Sequence, residues 1–228
     1  MKRKIITTSD GSKTIQIEEW NEQYHSIHGA INEANHVFIK HGLLFHSETI
    51  LESKKREINI LEIGFGTGLN AFLTAIEAEK LKLNIDYVGV EAYPVQPLEI
   101  EQLNYSELIS PKHNKLFKKL HTINWETSET ISLFFKLEKQ QKLFKDISAK
   151  NKFNIIYFDA FGARVQPELW TEEIFKLMFD ALQDNGILVT YSAKGSVRRA
   201  MQSVGFEVER LLGPPGKREM LRAQKSIR

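Results

Sequence analysis

Asn59-Ile-Leu-Glu-Ile-Gly-Phe-Gly-Thr-Gly-Leu-Asn70 is the stretch on which the reading of the 228-residue chain turns. Asn59 to Ile63 is a short apolar run and reads as a buried strand, and Leu69 to Leu81 carries apolar residues at helical spacing. Between them, glycines at 64, 66 and 68 form a turn where backbone and ligand approach closely, because no Cβ intervenes. The spacing is Gly-x-Gly-x-Gly, not the Gly-x-Gly-x-x-Gly that seats a pyrophosphate on a helix N-terminus. The tighter run suits the nucleoside and amino-acid tail of S-adenosylmethionine (SAM). A turn serving backbone geometry alone is the plainer alternative.

Outward from this motif, short apolar runs alternate with helical patterns. Tyr87 to Val90 is a second strand; Pro94 and Pro97 precede a helix to about Leu108. Ile131-Ser-Leu-Phe-Phe135 offers a third strand, Phe153 to Phe158 a fourth and Ile187 to Tyr191 a fifth. Thr171 caps a helix to Leu182 with Glu172 and Glu173 in its first turn, and Asp184-Asn-Gly186 stops it. Ser196 to Val204 is helical, and Phe206–Leu212 and Glu219–Arg222 close the chain as strands around Gly213-Pro-Pro-Gly216. Strand–helix alternation with short connections predicts an α/β fold, a mostly parallel sheet covered on both faces with an antiparallel C-terminal edge. Upstream, Lys4–Thr8 and Lys13–Glu18 flank Asp10-Gly11 as a β-hairpin annex, and Tyr24 to Phe38 predicts loop plus short helix. The expected division is 1–58 as hairpin and lid segment and 59–228 as the main domain.

Composition narrows the chemistry. With no cysteine, disulfides, thiolate metal sites and cysteine nucleophiles are excluded. No run approaches the roughly 20 apolar residues of a membrane helix, and the start lacks a signal core, so the reading is soluble and cytoplasmic. Net charge is only +2, yet Lys194 to Arg228 holds nine basic and three acidic residues. Such a basic end suggests a polyanion site or a solvated terminal surface. His25, His28, His36, His41 and His46 match no compact ligand spacing, and no metal is expected.

Two carboxylates lie at carboxyl ends of strands, where open α/β sheets bind ligands. Glu91, ending the second strand before Ala92, can accept both hydroxyl protons of a ribose. Asp159, in Tyr157-Phe-Asp-Ala-Phe-Gly162, can orient an amine and take its proton. A capping role is its alternative.

At these residues the chain resembles the methyltransferase domain of the MnmC family, found alone as MnmD. The carriers are Tyr24-His-Ser26 with Glu33 and His36-Val-Phe38, then Glu62 to Asn70 and Asp159-Ala-Phe161. Gln166-Pro-Glu-Leu-Trp-Thr171, Ser196-Val-Arg-Arg199 and Gly216-Lys-Arg-Glu-Met-Leu221 complete them. The resemblance implies a Rossmann-like class I SAM-dependent enzyme. It would methylate the amine of 5-aminomethyl-2-thiouridine at the tRNA wobble position, giving 5-methylaminomethyl-2-thiouridine. It also implies cofactor contacts by Gly64, Phe65, Gly66, Gly68, Asn70, Glu91 and Ala92, a lid of Tyr24, Ser26 and Glu33, and Asp159 at the transfer centre. The sequence departs from the family where Gly162-Ala163 follows Phe161 in place of Ala-Pro. It also lacks a Gly-Asp after the third strand, leaving Glu138 as a weak adenine candidate. No second glycine fingerprint occurs, so a fused FAD-dependent oxidoreductase is not expected.

For RNA, Lys194, Arg198, Arg199, Lys217 and Arg218 are the candidate contacts, with a glutamate partner expected for Arg198 or Arg199. Phe161 is the preferred aromatic for an extruded base, whereas Trp170 reads as core. Two other functions stay open: an aminopropyltransferase resembling spermidine synthase, which needs an acidic polyamine groove, and a non-catalytic binding module.

Overall fold

The computed structural model describes residues 2–49 and 56–226. The amino terminus forms a small antiparallel sheet of β1 (Arg3–Thr7), β2 (Lys13–Ile17) and the two-residue β3 (Glu22–Gln23). The hairpin lies where Asp10-Gly11 indicated it. Tyr24 to Gly29 is loop, but the helix that follows is not short. It runs from α1 (Ala30–Ala34) through a π-wound segment, Asn35–Leu44, into α2 (Phe45–Thr49). The wide winding shows where the Phe45 N–H reaches back five residues to the Lys40 carbonyl. Ala34, Val37, Phe38 and Leu43 of this helix are buried against the central sheet, which ties the annex to the core.

The central sheet begins with β4 (Glu57–Ile63), upstream of the expected 58–59 boundary. The glycine turn leads into α3 (Leu69–Leu81), and β5 (Asn84–Glu91) follows. The helix expected up to Leu108 is broken into α4 (Pro97–Ile100) and α5 (Tyr105–Ile109). Next comes α6 (Asn114–Thr122), absent from the sequence reading; it buries Phe117 and Leu120 and exposes its lysines. The expected strand Ile131–Phe135 is a correction. That run straddles the turn of a hairpin between β6 (Ser128–Ser132) and β7 (Phe135–Gln141), and β7 is the strand parallel to β5.

β8 (Phe153–Phe158), α7 (Glu172–Ala181) and β9 (Leu182–Thr190) come next. Thr171 accepts from the Ile174 N–H as the cap of α7. Asp184-Asn-Gly186 ends no helix; it lies inside β9, where Asn185 adopts φ 62° and the pairing with β8 shifts register. After α8 (Gly195–Ser203), β10 (Glu207–Leu212) and β11 (Glu219–Gln224) form the antiparallel edge.

The eight strands run in the order β10-β11-β9-β8-β4-β5-β7-β6, parallel from β9 to β7. Alternation along β8 splits the core: Ile155 and Tyr157 join the face covered by α3 and the π-wound helix, Ile156 and Phe158 the face covered by α7 and α8. From β4 the chain moves to β5 and β7, then returns to β8 on the other side of β4. That reversal is a topological switch point, and it lies between the glycine turn and Asp159.

Candidate active site

Above the switch point is a cavity of about 650 Å³. Its floor is the turn after β4. Gly64 has φ +89°, and a Cβ there would stand 2.7 Å from the Asp159 carbonyl oxygen. The turn is therefore pressed against the end of β8, and the Asp159 N–H donates to the Ile63 carbonyl at 2.9 Å. The Tyr24 ring packs directly on Gly66, where a Cβ would stand 3.0 Å from it. Gly68 stands outside it, beneath the turn against His121, as the left-handed residue entering α3. Phe65 borders the cavity, but its ring lies on Gly89 of β5 and is buried.

Glu91 ends β5 at the cavity wall beside Ala92. Its carboxylate accepts from the Gly66 N–H at 3.1 Å and the Tyr93 N–H at 2.9 Å. Two of its roughly four lone-pair positions are thereby used, leaving capacity for a ribose. Burial raises its pKa. Glu138 lies within β7 and does not reach the cavity; Leu143, Phe144 and Lys145 from the loop after β7 form that wall.

Asp159 caps the end of β8 at the cavity. Burial and the nearby Glu33 carboxylate push its pKa up to about 7, opposed by the Asn70 amide and Lys217. The Asn70 Nδ2 donates to Asp159 at 2.8 Å. Lys217 comes from the Gly-Pro loop between β10 and β11. It pairs with Glu33, which is 6% exposed, and its ammonium lies 3.8 Å from the Tyr191 ring centroid. Tyr24, Ser26 and Glu33 all border the cavity, and the Glu33 carboxylate accepts from the Ser26 N–H at 3.2 Å. The annex thus forms the roof.

Phe161 faces the cavity, edge-on to Tyr24 at 4.9 Å and to Trp20 at 5.7 Å. Trp20 is a wall that sequence reasoning missed, since only the fold brings the β2–β3 turn to this point. Arg164 holds that turn through Glu22 at 2.7 Å and the Trp20 carbonyl at 3.1 Å. Trp170 is buried, donating to the Phe161 carbonyl at 2.8 Å and packing on Phe158 and Phe175.

Lys194, Arg198 and Arg199 lie at the start of α8, outside the cavity lining. Lys194, Arg199 and Arg218 are exposed and Arg198 is half-buried. The glutamate partner expected for Arg198 or Arg199 is not found: no ion pair to either occurs among the described residues. The histidines are dispersed. Burial lowers His25 to about 4 and His41 to about 4, so both are neutral at physiological pH. His25 contacts Thr14 at 2.9 Å, and His36 contacts the Leu212 carbonyl. No cluster of metal-ligating side chains occurs among the described residues, and none of the described helices is long and apolar enough to cross a membrane.

The residues fit SAM on three counts: a glycine floor that a Cβ would obstruct, a strand-end carboxylate for ribose, and net acidic walls. Five carboxylates (Glu22, Glu33, Glu91, Asp159, Glu168) border the cavity against Arg3, Lys145 and Lys217, which favours a cationic sulfonium.

Known proteins point the same way. The chain is 27% identical over 212 residues to the tRNA 5-methylaminomethyl-2-thiouridine biosynthesis bifunctional protein MnmC of Hydrogenovibrio crunogenus, covering 88% of this chain and 31% of that protein. It is 28% identical over 228 residues to the protein of the same name from Actinobacillus pleuropneumoniae serotype 5b, covering 91% and 33%. The chain thus spans about a third of the length of these curated relatives. Among solved structures, MnmC2 from Aquifex aeolicus superimposes with TM-score 0.75 at 26% identity, over 99% of this chain and 72% of that one. Spermidine synthase from Thermotoga maritima shares the fold alone, with TM-score 0.57 at 15% identity, over 99% and 70%. The family model for S-adenosyl-L-methionine-dependent methyltransferases matches residues 102–226, more than half of the chain, and the chain belongs to that family.

Proposed function

We propose that this methyltransferase acts on the aminomethyl group of 5-aminomethyl-2-thiouridine at the wobble position of tRNA. The single observation carrying this reading is Asp159, a carboxyl with a pKa near 7 beside the glycine floor of an acidic cavity. Acidic walls suit a substrate that arrives as an ammonium, since a free alkylamine has a pKa of roughly 10. Bound on the glycine floor, SAM supplies an electrophilic methyl group. Asp159, its pKa raised toward neutrality by burial, accepts in its ionised form the proton the amine sheds. Glu33 and Lys217 set the charge around it, and Phe161, packed edge-on with Tyr24 and Trp20, offers an aromatic wall for the base that shields the centre from water. Alignment of amine and methyl can supply about 7–11 kcal/mol of the barrier reduction without a covalent enzyme intermediate.

The similarity to the two MnmC proteins supports tRNA as the partner, and the exposed cations Lys194, Arg199 and Arg218, with Arg198, support a phosphate-binding rim. In this reading residues 1–58 act as a roof segment packed on the domain 59–228; Met1, residues 50–55 and residues 227–228 lie outside the described residues. A cytoplasmic location follows from a tRNA substrate. An aminopropyl donor has the shared fold and the acidic cavity in its favour, but the family model that matches the chain is one of methyltransferases. The test is radiolabelled SAM with tRNA bearing the aminomethyl nucleoside, digested to nucleosides. Label in 5-methylaminomethyl-2-thiouridine is expected; label absent from it refutes the substrate assignment.

A further inference from the structure

Beneath the cavity floor is a set of buried polar groups that methyl transfer leaves unexplained. Glu62, on β4, is completely buried, an unusual place for a carboxyl unless it is paired or neutral. Asn70, in the first turn of α3, is 2% exposed. One amide nitrogen of Asn70 donates to two carboxyls, Glu62 Oε1 at 2.8 Å and Asp159 Oδ2 at 2.8 Å. Both hydrogens of the amide are thereby committed, which fixes its orientation: turned over, its oxygen would face two carboxyls. The Asn70 Oδ1, the Glu62 Oε2 and the Tyr87 hydroxyl are buried without hydrogen-bond partners among the described residues.

We propose that Glu62 and Asn70 are positioning residues, a buried relay in which the Glu62 carboxyl anchors the Asn70 amide so that it holds and stabilises ionised Asp159. The inference deepens the proposed role of Asp159 and rests on it for its catalytic meaning. Burial holds the Glu62 pKa well above the usual carboxylate range, no cation offsets it among the described residues, and Asp159 and Glu91 both oppose ionisation, so the neutral form is favoured. The Tyr87 hydroxyl from β5 faces Glu62 closely enough to favour its ionised form, though without a well-formed hydrogen bond. Around Asp159 the other groups are Glu33 from the roof, Lys217 from the β10–β11 loop, Tyr191 at the end of β9 and Tyr105 from α5. Only Asn70 donates a hydrogen bond to its carboxylate among the described residues. Removing that donor therefore favours the protonated acid.

The experiment follows the Asp159 carboxyl directly, by infrared or carbon NMR titration of the SAM-free protein labelled at aspartate, assigned with Asp159→Asn. Asn70→Ala should move the midpoint upward by about one unit, the scale of losing one charged hydrogen bond. Should the alanine variant not fold, the near-isosteric Asn70→Leu carries the test, since it removes both donors without adding a titratable group and so also raises the midpoint. Glu62→Gln, which preserves a neutral acceptor, should leave it where it is. An unmoved midpoint in the Asn70 variants overturns the relay, and a clear fall in Glu62→Gln overturns the neutrality of Glu62. Turnover is measured separately. If Asp159→Asn still methylates, the catalytic reading of Asp159 fails, while the titrations judge the relay on their own.

Discussion

Adding one methyl group at Gly64 should damage the site and the fold together. At φ +89° an alanine is strained by about 1–3 kcal/mol. Its Cβ would also lie 2.7 Å from the Asp159 carbonyl oxygen and 3.2 Å from the carbonyl carbon, both backbone atoms that cannot swing aside. Relieving that contact means displacing the end of β8, an overpacking cost of about 1–3 kcal/mol. The sum is about 2–6 kcal/mol, and at about 2–4 °C per kcal/mol for a chain of this size, Tm should fall by about 10 °C. Because the displaced backbone carries Asp159, turnover should drop by about 100-fold, the usual consequence of a 1 Å misplacement. Gly11→Ala is the control: its φ is +81°, but nothing lies within 4 Å of the added atom, so it reports backbone strain alone. Differential scanning calorimetry and single-turnover methylation measure both quantities. If Gly64→Ala and Gly11→Ala lose the same stability and turnover survives, the glycine turn is not braced against Asp159 and the reasoning is wrong.

Three further outcomes are expected. The Asp159 carboxyl binds its proton more tightly folded, about 7, than unfolded, about 3.9, so stability falls as pH rises from about 4 to 7. Asp159→Asn should accordingly raise Tm at pH 8 but not at pH 4; equal effects at both would remove the burial penalty. Lys217→Ala leaves Glu33 buried without its cation, at a cost on the order of 3 kcal/mol. Adding Glu33→Gln should recover much of that loss in a denaturant double-mutant cycle, and strict additivity would mean the pair is not coupled. Replacing Lys194, Arg198 and Arg199 together by alanine should flatten the slope of log affinity for tRNA against log salt by about 2; an unchanged slope would take α8 off the RNA face.

Local pattern made much of this fold legible. The run Asn59–Ile63, the glycines after it and the helix from Leu69 needed only their own neighbours to be read, as did Thr171 with its two glutamates. Failures came where long-range contacts decide. α6 is an exception, because Leu116, Phe117 and Leu120 recur at helical spacing among exposed lysines, an amphipathic pattern that is local. Ile131–Phe135 is apolar but for Ser132, yet Leu133 is 85% exposed because the hairpin turns there. The π-wound helix buries Val37, Phe38, Ile39, Gly42 and Leu43, an apolar stripe interrupted in the sequence by a glycine and flanked by His36, Lys40 and His41. At the site, Gly64, Glu91 and Asp159 were readable because strand ends face the crevice. Trp20 was not, and neither was the engagement of Lys217 with Glu33, 184 positions away, a cation that local charge assigned to RNA.

The most direct measurement is a crystal structure with S-adenosylhomocysteine. The account predicts its ribose on Glu91, its sulfur above the Gly64–Gly66 backbone, and the open side of that sulfur, where the methyl would sit, turned toward Asp159. A ligand whose sulfur faces away from Asp159, or that binds outside this cavity, would contradict it.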